Sequence, residues 1–248
     1  MKLYGLIGYP LGHSFSANFF AEKFAREGID ARYLNFEIPD IGDLMELLAE
    51  YPELEGFNVT IPYKQQILPY LQTLSPQAQA IGAVNVVSVE HTASGPVLHG
   101  HNTDCPGFAR TLAPLLPQEA VSALVLGTGG AAKAVLTALS QLGVAAKTVS
   151  RTPAAGRLTY DDLTAEVMAA HRVVVNCTPL GMWPNVDSAP AIPYDEITTA
   201  HVCYDVVYNP EETEFMRRAR AKGATVSNGL AMLHMQALLA WQIWNTQI

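Results

Sequence analysis

At mid-chain the residues Gly127-Thr128-Gly129-Gly130-Ala131-Ala132 follow the apolar run 121–126 and precede an alanine-rich stretch, 131–142. A strand, a glycine-rich turn and a helix in that order make a pyrophosphate site. The first glycine permits the tight turn, the second lets backbone N–H groups approach the phosphates, and a small third residue, here Ala132, lets the helix pack on the strand. The helix N-terminus faces the phosphates with its positive dipole end. Gly127, Thr128, Gly129, Gly130 and Ala131 are therefore candidate dinucleotide contacts. An acidic residue about 20 positions further on would hold a ribose 2′-hydroxyl. Ser150-Arg151-Thr152 stands there instead, with Arg157 close behind and no carboxylate. Guanidinium donors suit a 2′-phosphate, which predicts NADP(H) rather than NAD(H); the bland alternative is a solvated surface arginine.

The elements that must position these groups alternate strand and helix. In the first hundred residues the pattern predicts strands at 3–8, 31–37, 56–59 and 84–89 and helices at 15–27 and from Pro39-Asp40 to 50. A helix from 104 to about 116, with Asp104 as N-cap and Pro106 in its first turn, crosses to the second half. That half reads as strands at 121–126, 145–149, 172–176, 201–206 and 224–227 and helices at 131–142, 160–170 and 211–222. Four prolines between 179 and 193 predict a loop. The last helix, from about 230, is expected to return to the first half. The expected fold is α/β with two domains and a cleft between them: an N-terminal α/β substrate-binding and catalytic domain, 1–103, completed by 229–248, and a Rossmann-type NADP-binding domain, 104–228.

Of 248 residues, 49% are hydrophobic and 15% charged, which supports a globular chain with a real core. The net charge of −8 is dispersed and no basic run occurs, which argues against nucleic acid or anionic membrane as partner. The start is broken by Gly5, Gly8 and Pro10, a poor signal segment. Three cysteines, Cys105, Cys177 and Cys203, show no CxxC spacing and read as residues of a reducing compartment. A cytoplasmic protein, monomer or homodimer, acting on a small molecule is expected. His99-x-His101 has no third ligand at a recognisable spacing, so no metal is expected.

Further strings stand in order along the chain: Gly8-Tyr-Pro-Leu-Gly-His-Ser14-Phe-Ser16, Asn58-Val-Thr60-Ile-Pro-Tyr-Lys64, Gly82-Ala-Val-Asn85, Gly100-His-Asn102-Thr-Asp104, Asn176-Cys-Thr178-Pro-Leu-Gly-Met182, Tyr204-Asp-Val-Val-Tyr208-Asn-Pro and Asn228-Gly229 through Gln236. Together they resemble the shikimate dehydrogenase family, from about residue 5 to 238. The resemblance implies NADPH-dependent, reversible reduction of 3-dehydroshikimate to shikimate. It implies Lys64 and Asp104 as the catalytic pair, Ser14 and Ser16 as carboxylate-binding hydroxyls, and Thr60, Asn85 and Gln236 as ring-hydroxyl contacts, with Tyr208 a further wall. For the cofactor it implies Ser150, Arg151 and Thr152, a path lined by Thr178 to Met182, and Gly229.

The chemistry agrees with the residue types. A ketone reduction needs a hydride donor and a proton donor at the carbonyl oxygen. Lys64 can supply the proton, and Asp104 can bond the same hydroxyl. Desolvation would favour the neutral lysine and the carboxylate the charged one, so the two effects oppose. Taken singly, Ser16 and Asp104 could be mere helix caps, Lys64 a solvated surface lysine and Asn85 a turn residue. Departures from the family pattern are Ala17 in place of a proline, Asn18-Phe19-Phe20 in place of a following His-Asn, Val86 in place of a threonine after Asn85, and Ser150 in place of an asparagine. Other readings are a quinate-oxidising paralogue using NAD or NADP, or a non-catalytic NADP(H)-binding regulator. A glutamyl-tRNA reductase would need a thiol in its first domain, and no cysteine precedes Cys105.

Overall fold

The computed structural model describes residues 1–12, 15–117, 119 and 121–245, so Ser14 lies outside the described residues. The chain forms two compact units, Met1–Thr103 together with the chain from Ala237 onward, and Asp104–Gln236.

The first unit holds β1 (Lys2–Gly8), α1 (Phe15–Glu27), β2 (Ala31–Glu37), α2 (Leu44–Glu50), β3 (Leu54–Val59), β4 (Thr73–Leu74), α3 (Pro76–Ile81), β5 (Val86–Thr92) and β6 (Gly95–His101). Its sheet runs β2-β1-β3-β5-β6-β4. β1 pairs parallel with β2 and β3, whereas β3–β5 and β5–β6 are antiparallel. All but the first residue of β1 are buried, as suits a central strand covered on both faces. Leu3, Ile7, Leu44, Leu54, Phe57 and Val87 fill one side of the sheet. On the other, Tyr4, Phe20, Phe24 and Tyr33 pack with Trp241 and Trp244.

The second unit holds α4 (Asp104–Leu112), β7 (Ser122–Leu126), α5 (Gly130–Gln141), β8 (Ala145–Val149), β9 (Arg157–Leu158), α6 (Ala165–Ala170), β10 (Val173–Asn176), β11 (Val202–Asp205), α7 (Glu214–Ala221) and β12 (Thr225–Ser227). Every strand pair is parallel. The order β9-β8-β7-β10-β11-β12 is the 3-2-1-4-5-6 order of dinucleotide-binding sheets, whose switch point lies between the first and fourth strands, here β7 and β10. The last helix, α8 (Leu230–Asn245), counts with the second unit as far as Gln236 and with the first from Ala237. The sequence reading assigned all of 229–248 to the first.

Differences from the sequence reading have local causes. The helix expected at 160–170 is a 3-10 turn, Tyr160–Asp162, followed by α6. Thr159 closes the turn by donating from its N–H and Oγ1 to Asp162 Oδ2, both at 2.7 Å, and Thr164 then caps a new helix. Asp40 similarly accepts from the Gly42 N–H at 2.7 Å and opens a 3-10 turn, Ile41–Asp43, ahead of α2. The strand expected from Val84 begins at Val86, because the Val84 N–H donates to the Lys64 carbonyl at 2.7 Å. Asp104 is the first helical residue of α4 rather than its N-cap. β4, α3, β6 and β9 were not foreseen. No helix among the described residues is long and apolar enough to cross a membrane.

Trp244 stacks on Tyr4 with centroids 4.9 Å apart and donates from its indole N–H to the Val87 carbonyl at 2.9 Å. Trp244→Ala removes the ring and its bond to that carbonyl, and about 3–5 kcal/mol of stability is expected to go with them. Urea titration read by far-UV circular dichroism measures the loss.

Candidate active site

In the first unit the chain segments that leave β1 and β3 carry the substrate-side candidates. The Thr60 N–H donates to the Ile7 carbonyl at 2.9 Å and the Tyr9 N–H to the Ile61 carbonyl at 3.1 Å, so the two segments run side by side. Lys64 follows in the same turn, half-buried, and its carbonyl holds the Val84 N–H. Asn85 is 2% exposed. Its Oδ1 accepts from the Thr103 N–H at 2.7 Å, its Nδ2 donates to Thr103 Oγ1 at 3.0 Å, and its carbonyl accepts from Val59 N–H and Asn58 Nδ2. Asn85 thus ties β3 to the chain leaving β6, a task larger than satisfying one turn. Asn102 beside it, not singled out by the sequence reading, donates from Nδ2 to the Ala83 carbonyl at 3.0 Å.

Ser16 lies inside the first turn of α1, so it is not the cap of that helix. Its hydroxyl bonds the Tyr33 phenol, whose O–H donates to Asn58 Oδ1 at 2.8 Å. Burial pushes the Tyr33 pKa far up and the Ser16 bond only partly opposes it, so the phenol stays a neutral donor. These bonds gather Ser16, Thr60, Lys64 and Asn85 around the ends of the interior strands β1, β3 and β5.

In the second unit the turn after β7 has the features a bound pyrophosphate requires. Gly127 sits at φ +112°, a conformation that L side chains rarely adopt, and a Cβ there would stand 3.2 Å from the Cys177 carbonyl. The loops after β7 and β10 therefore touch at the switch point. Gly129 is the N-cap of the 12-residue α5 with no side-chain cap, the first turn holds no acidic residue, and a Cβ on Gly129 would meet nothing within 4 Å. An open cradle of backbone donors at a positive helix end fits an anion. Gly130 and Ala131 begin α5, and Ala132 is fully buried beneath it.

At the end of β8, Ser150 accepts from the Thr152 N–H at 3.2 Å, and Arg151 and Thr152 are exposed. Arg157 lies one strand over, with Thr148 as its partner in register. Neither arginine forms an ion pair among the described residues. The Asp162 carboxylate downstream is occupied by Thr159. These groups fit a dinucleotide bearing a 2′-phosphate.

Beyond β10, Thr178 donates from its N–H and Oγ1 to Asn176 Oδ1, at 3.0 and 2.6 Å, and Met182 is exposed. Asp104, 2% exposed, opens α4. Burial, with Asp205 and Asp104 after it, raises the Cys177 thiol well above its ordinary range, which makes it an inert neutral group and brings Asp104 to the switch-point side of its unit. Three positions along α4, Gly107 lets α8 approach: a Cβ there would stand 3.3 Å from the Met232 carbonyl and 3.5 Å from the Gln236 N. Asp104 and Gln236 therefore sit on helices in direct contact. Tyr208, exposed, follows β11.

Gly229 is a backbone-packing position. A Cβ there would run into the Val206 carbonyl, and its N–H donates to the Val207 carbonyl at 3.0 Å. Among the described residues no three His, Cys, Asp or Glu side chains group to hold a metal ion; His99 bonds Thr73 at 2.6 Å and Glu90 at 3.0 Å.

The family model of the shikimate dehydrogenase substrate-binding domain matches residues 6–87. A shikimate dehydrogenase (NADP(+)) of Desulforamulus reducens is 36% identical over 263 residues, covering 97% of this chain and 88% of that one. The chain belongs to the shikimate dehydrogenase family. The shikimate 5-dehydrogenase of Thermus thermophilus, solved in complex with NADP(H) and shikimate, superposes with a TM-score of 0.86 at 33% identity, over 100% of this chain and 95% of that one. The quinate dehydrogenase of Corynebacterium glutamicum, solved in complex with NAD, superposes with a TM-score of 0.84 at 31% identity, over 99% and 94%. Members with different substrates and cofactors thus share the fold almost equally, and the side chains must discriminate.

Gly229→Ala forces a methyl group against the Val206 backbone and is expected to cost about 1–3 kcal/mol. Thermal unfolding followed by calorimetry checks it, and an unchanged melting temperature contradicts the packing role.

Proposed function

We propose that this chain catalyses the NADPH-dependent, reversible reduction of 3-dehydroshikimate to shikimate, a step of chorismate and aromatic amino acid biosynthesis. The observation that carries the choice among family members is the end of β8. There Arg151 and Arg157 stand without ion-pair partners among the described residues, and no carboxylate waits for a ribose 2′-hydroxyl. The reading is supported further by the 36% identity to a relative named for NADP(+). We place the protein in the cytoplasm, with the small substrate and cofactor as its ligands.

Bound NADPH supplies a hydride for the ring ketone. Lys64 protonates the oxygen that gains negative charge as the ketone is reduced. Asp104 accepts a hydrogen bond from the same hydroxyl and holds it in register with the lysine. Ser14 and Ser16 hold the substrate carboxylate. Thr60, Asn85 and Gln236 hold the ring hydroxyls, and Tyr208 walls the ring. These neutral donors and acceptors reject a ring whose hydroxyls are differently placed, because a polar group left unpaired in the site costs more than a missing contact. The backbone donors of Gly127 to Ala131 hold the pyrophosphate. Ser150, Arg151, Thr152 and Arg157 hold the 2′-phosphate. Thr178 and Met182 line the nicotinamide half, and Gly229 keeps the neighbouring backbone close.

The deciding experiment follows nicotinamide absorbance with shikimate and NADP+, against quinate and NAD+ in parallel. Turnover with shikimate and NADP+ alone is expected. Preference for quinate or NAD+ rejects the substrate or cofactor assignment, and NADPH binding without turnover on any pair favours the regulator. Lys64→Ala is expected to lower kcat about 10²–10⁴-fold, with NADP+ affinity unchanged in a direct binding titration. Arg151→Ala is expected to raise the KM for NADP+ about tenfold or more, the worth of a hydrogen bond to a charged group, while the KM for NAD+ stays put. An equal effect on both cofactors overturns the role given to Arg151.

A further inference from the structure

One buried carboxylate has no part in the chemistry above. Asp205 ends β11 and is 0% exposed. Its Oδ1 accepts from Asn176 Nδ2 and from the Val207 N–H, each at 3.0 Å, and its Oδ2 accepts from Thr213 Oγ1 at 2.6 Å. Asn176 ends the neighbouring strand β10, lies opposite Asp205 in register and is equally buried. The other end of the Asn176 amide receives the N–H and hydroxyl of Thr178.

An ionised carboxylate only accepts hydrogen bonds, whereas an amide presents a donor at one end and an acceptor at the other. The carboxylate anchors the Asn176 amide with its nitrogen toward Asp205 and its oxygen toward Thr178, and the same nitrogen also donates to the Leu180 carbonyl at 3.3 Å. Without it the amide loses its buried anchor and is held only by the turn it should position, through the Thr178 N–H and the Leu180 carbonyl. On its other side Asp205 holds Val207, directly before Tyr208. Burial pushes the Asp205 carboxyl up to about 6, against the hydrogen bonds that lower it. Above that pH the fold carries an ionised group in a dry site, a cost that packing alone gives no reason to keep.

We propose that Asp205 is the positioning residue of this dehydrogenase: through Asn176 it sets the Thr178–Met182 segment that lines the nicotinamide half, and through Val207 the approach to Tyr208. The proposal rests on the NADP-dependent dehydrogenase reading. Asp205 touches neither substrate nor cofactor in this role. It acts by holding two loops at the carboxyl ends of adjacent strands in one geometry.

The test compares Asp205→Ala, Asp205→Asn and Thr213→Val with the parent enzyme, measuring kcat, the KM for NADP+ and for shikimate, and the melting temperature. Asp205→Ala is expected to lower kcat and raise the KM for NADP+, together about 10- to 100-fold in kcat/KM, as misplacement of a positioning loop does. Asp205→Asn keeps an acceptor for Asn176 and Val207 and turns its amide nitrogen to Thr213, so it is expected to recover kcat/KM to within about threefold, the scale of one altered neutral hydrogen bond. A folded Asp205→Ala with parental kinetics overturns the proposal. So does an Asp205→Asn as impaired as Asp205→Ala, because charge rather than amide orientation would then matter. If Asp205→Ala does not fold, Thr213→Val decides: it removes the hydroxyl bond to the carboxylate while keeping the side-chain shape that packs against Gly181, a rise of about threefold in the KM for NADP+ is expected, and no change overturns the proposal. If the parent enzyme itself fails to turn over shikimate, the functional reading has failed, and Asp205 is judged by calorimetric NADP+ affinity in the same order of variants.

Discussion

The backbone segments leaving β7, β10 and β11 must pass one another at contact distance while every buried polar group among them keeps a partner, and the organisation of the second unit follows from that constraint. Gly127 lies against the Cys177 peptide and Gly229 against Val206. The Cys177 N–H donates to the Leu126 carbonyl at 2.9 Å and the Val206 N–H to the Asn176 carbonyl at 3.0 Å, which continues the ladder beyond the strands. Side chains at either glycine would push the segments apart at the carboxyl ends of these interior strands. Crowding forces the remaining polar contacts inward, and Asn176, Asp205 and Thr213 meet them from positions with 0% exposure. A fully satisfied buried polar network of this kind admits one arrangement of the loops above it.

The first unit solves the corresponding problem with amides and a phenol. Tyr33, Asn58, Asn85 and Thr103 form a continuous chain of bonds beside the first turn of α1, which carries Ser16, and the segment that carries Thr60 and Lys64. An aromatic cluster of Tyr4, Phe20, Phe24, Trp241 and Trp244 lies against the same sheet. Lys23 is drawn into it, 7% exposed, with its charge met by Glu27 at 2.7 Å and by the Trp241 ring 5.4 Å away. Lys23 is a lysine whose surroundings are wholly structural. Its sequence neighbourhood, Glu22-Lys23-Phe24, gave no reason to expect burial, since lysine is rarely buried unless paired.

Long periodic elements were legible because their patterning agrees with their packing. α1, β2 and β8 fall at the residues the pattern marks, and the six-stranded order places the glycine loop at a switch point. Short elements were not legible. β9 has two residues and is a strand only because Ser150 and Val149 offer it an edge, and β4 likewise has two. The 3-10 turns at Ile41 and Tyr160 came from side-chain caps two and three residues apart, a competition between local hydrogen bonds and helix that periodicity does not register. Among the site candidates, residue type singled out Lys64, Asp104 and the glycine loop, whereas Asp205 was invisible as anything but one acidic residue in a strand. Its task depends on which way an amide across the sheet points, and only the paired strands β10 and β11 reveal that. Gly229 shows the reverse: named for a cofactor role, it is placed in the structure by its neighbour's carbonyl.

Charge at the end of β8 must work against the whole molecule. The chain carries a net charge of −8, and NADP adds further negative charge, so the overall field opposes their encounter. Screening limits that field to roughly 8 Å at physiological ionic strength, within which the nearest groups dominate. Elsewhere in the second unit many cations are already paired: Arg172 meets Glu119, Arg217 and Arg218 share Glu214, Arg220 meets Glu212, and Lys222 meets Asp195. The Arg217 and Arg218 hydrogen bonds hold the Glu214 carboxyl down at about 2. Arg151 and Arg157 stay outside this pairing because they sit on an edge strand and its neighbouring loop, where the Asp162 carboxylate is committed to a cap. Both guanidinium side chains are exposed. An acidic protein thereby keeps a local positive patch at the end of β8.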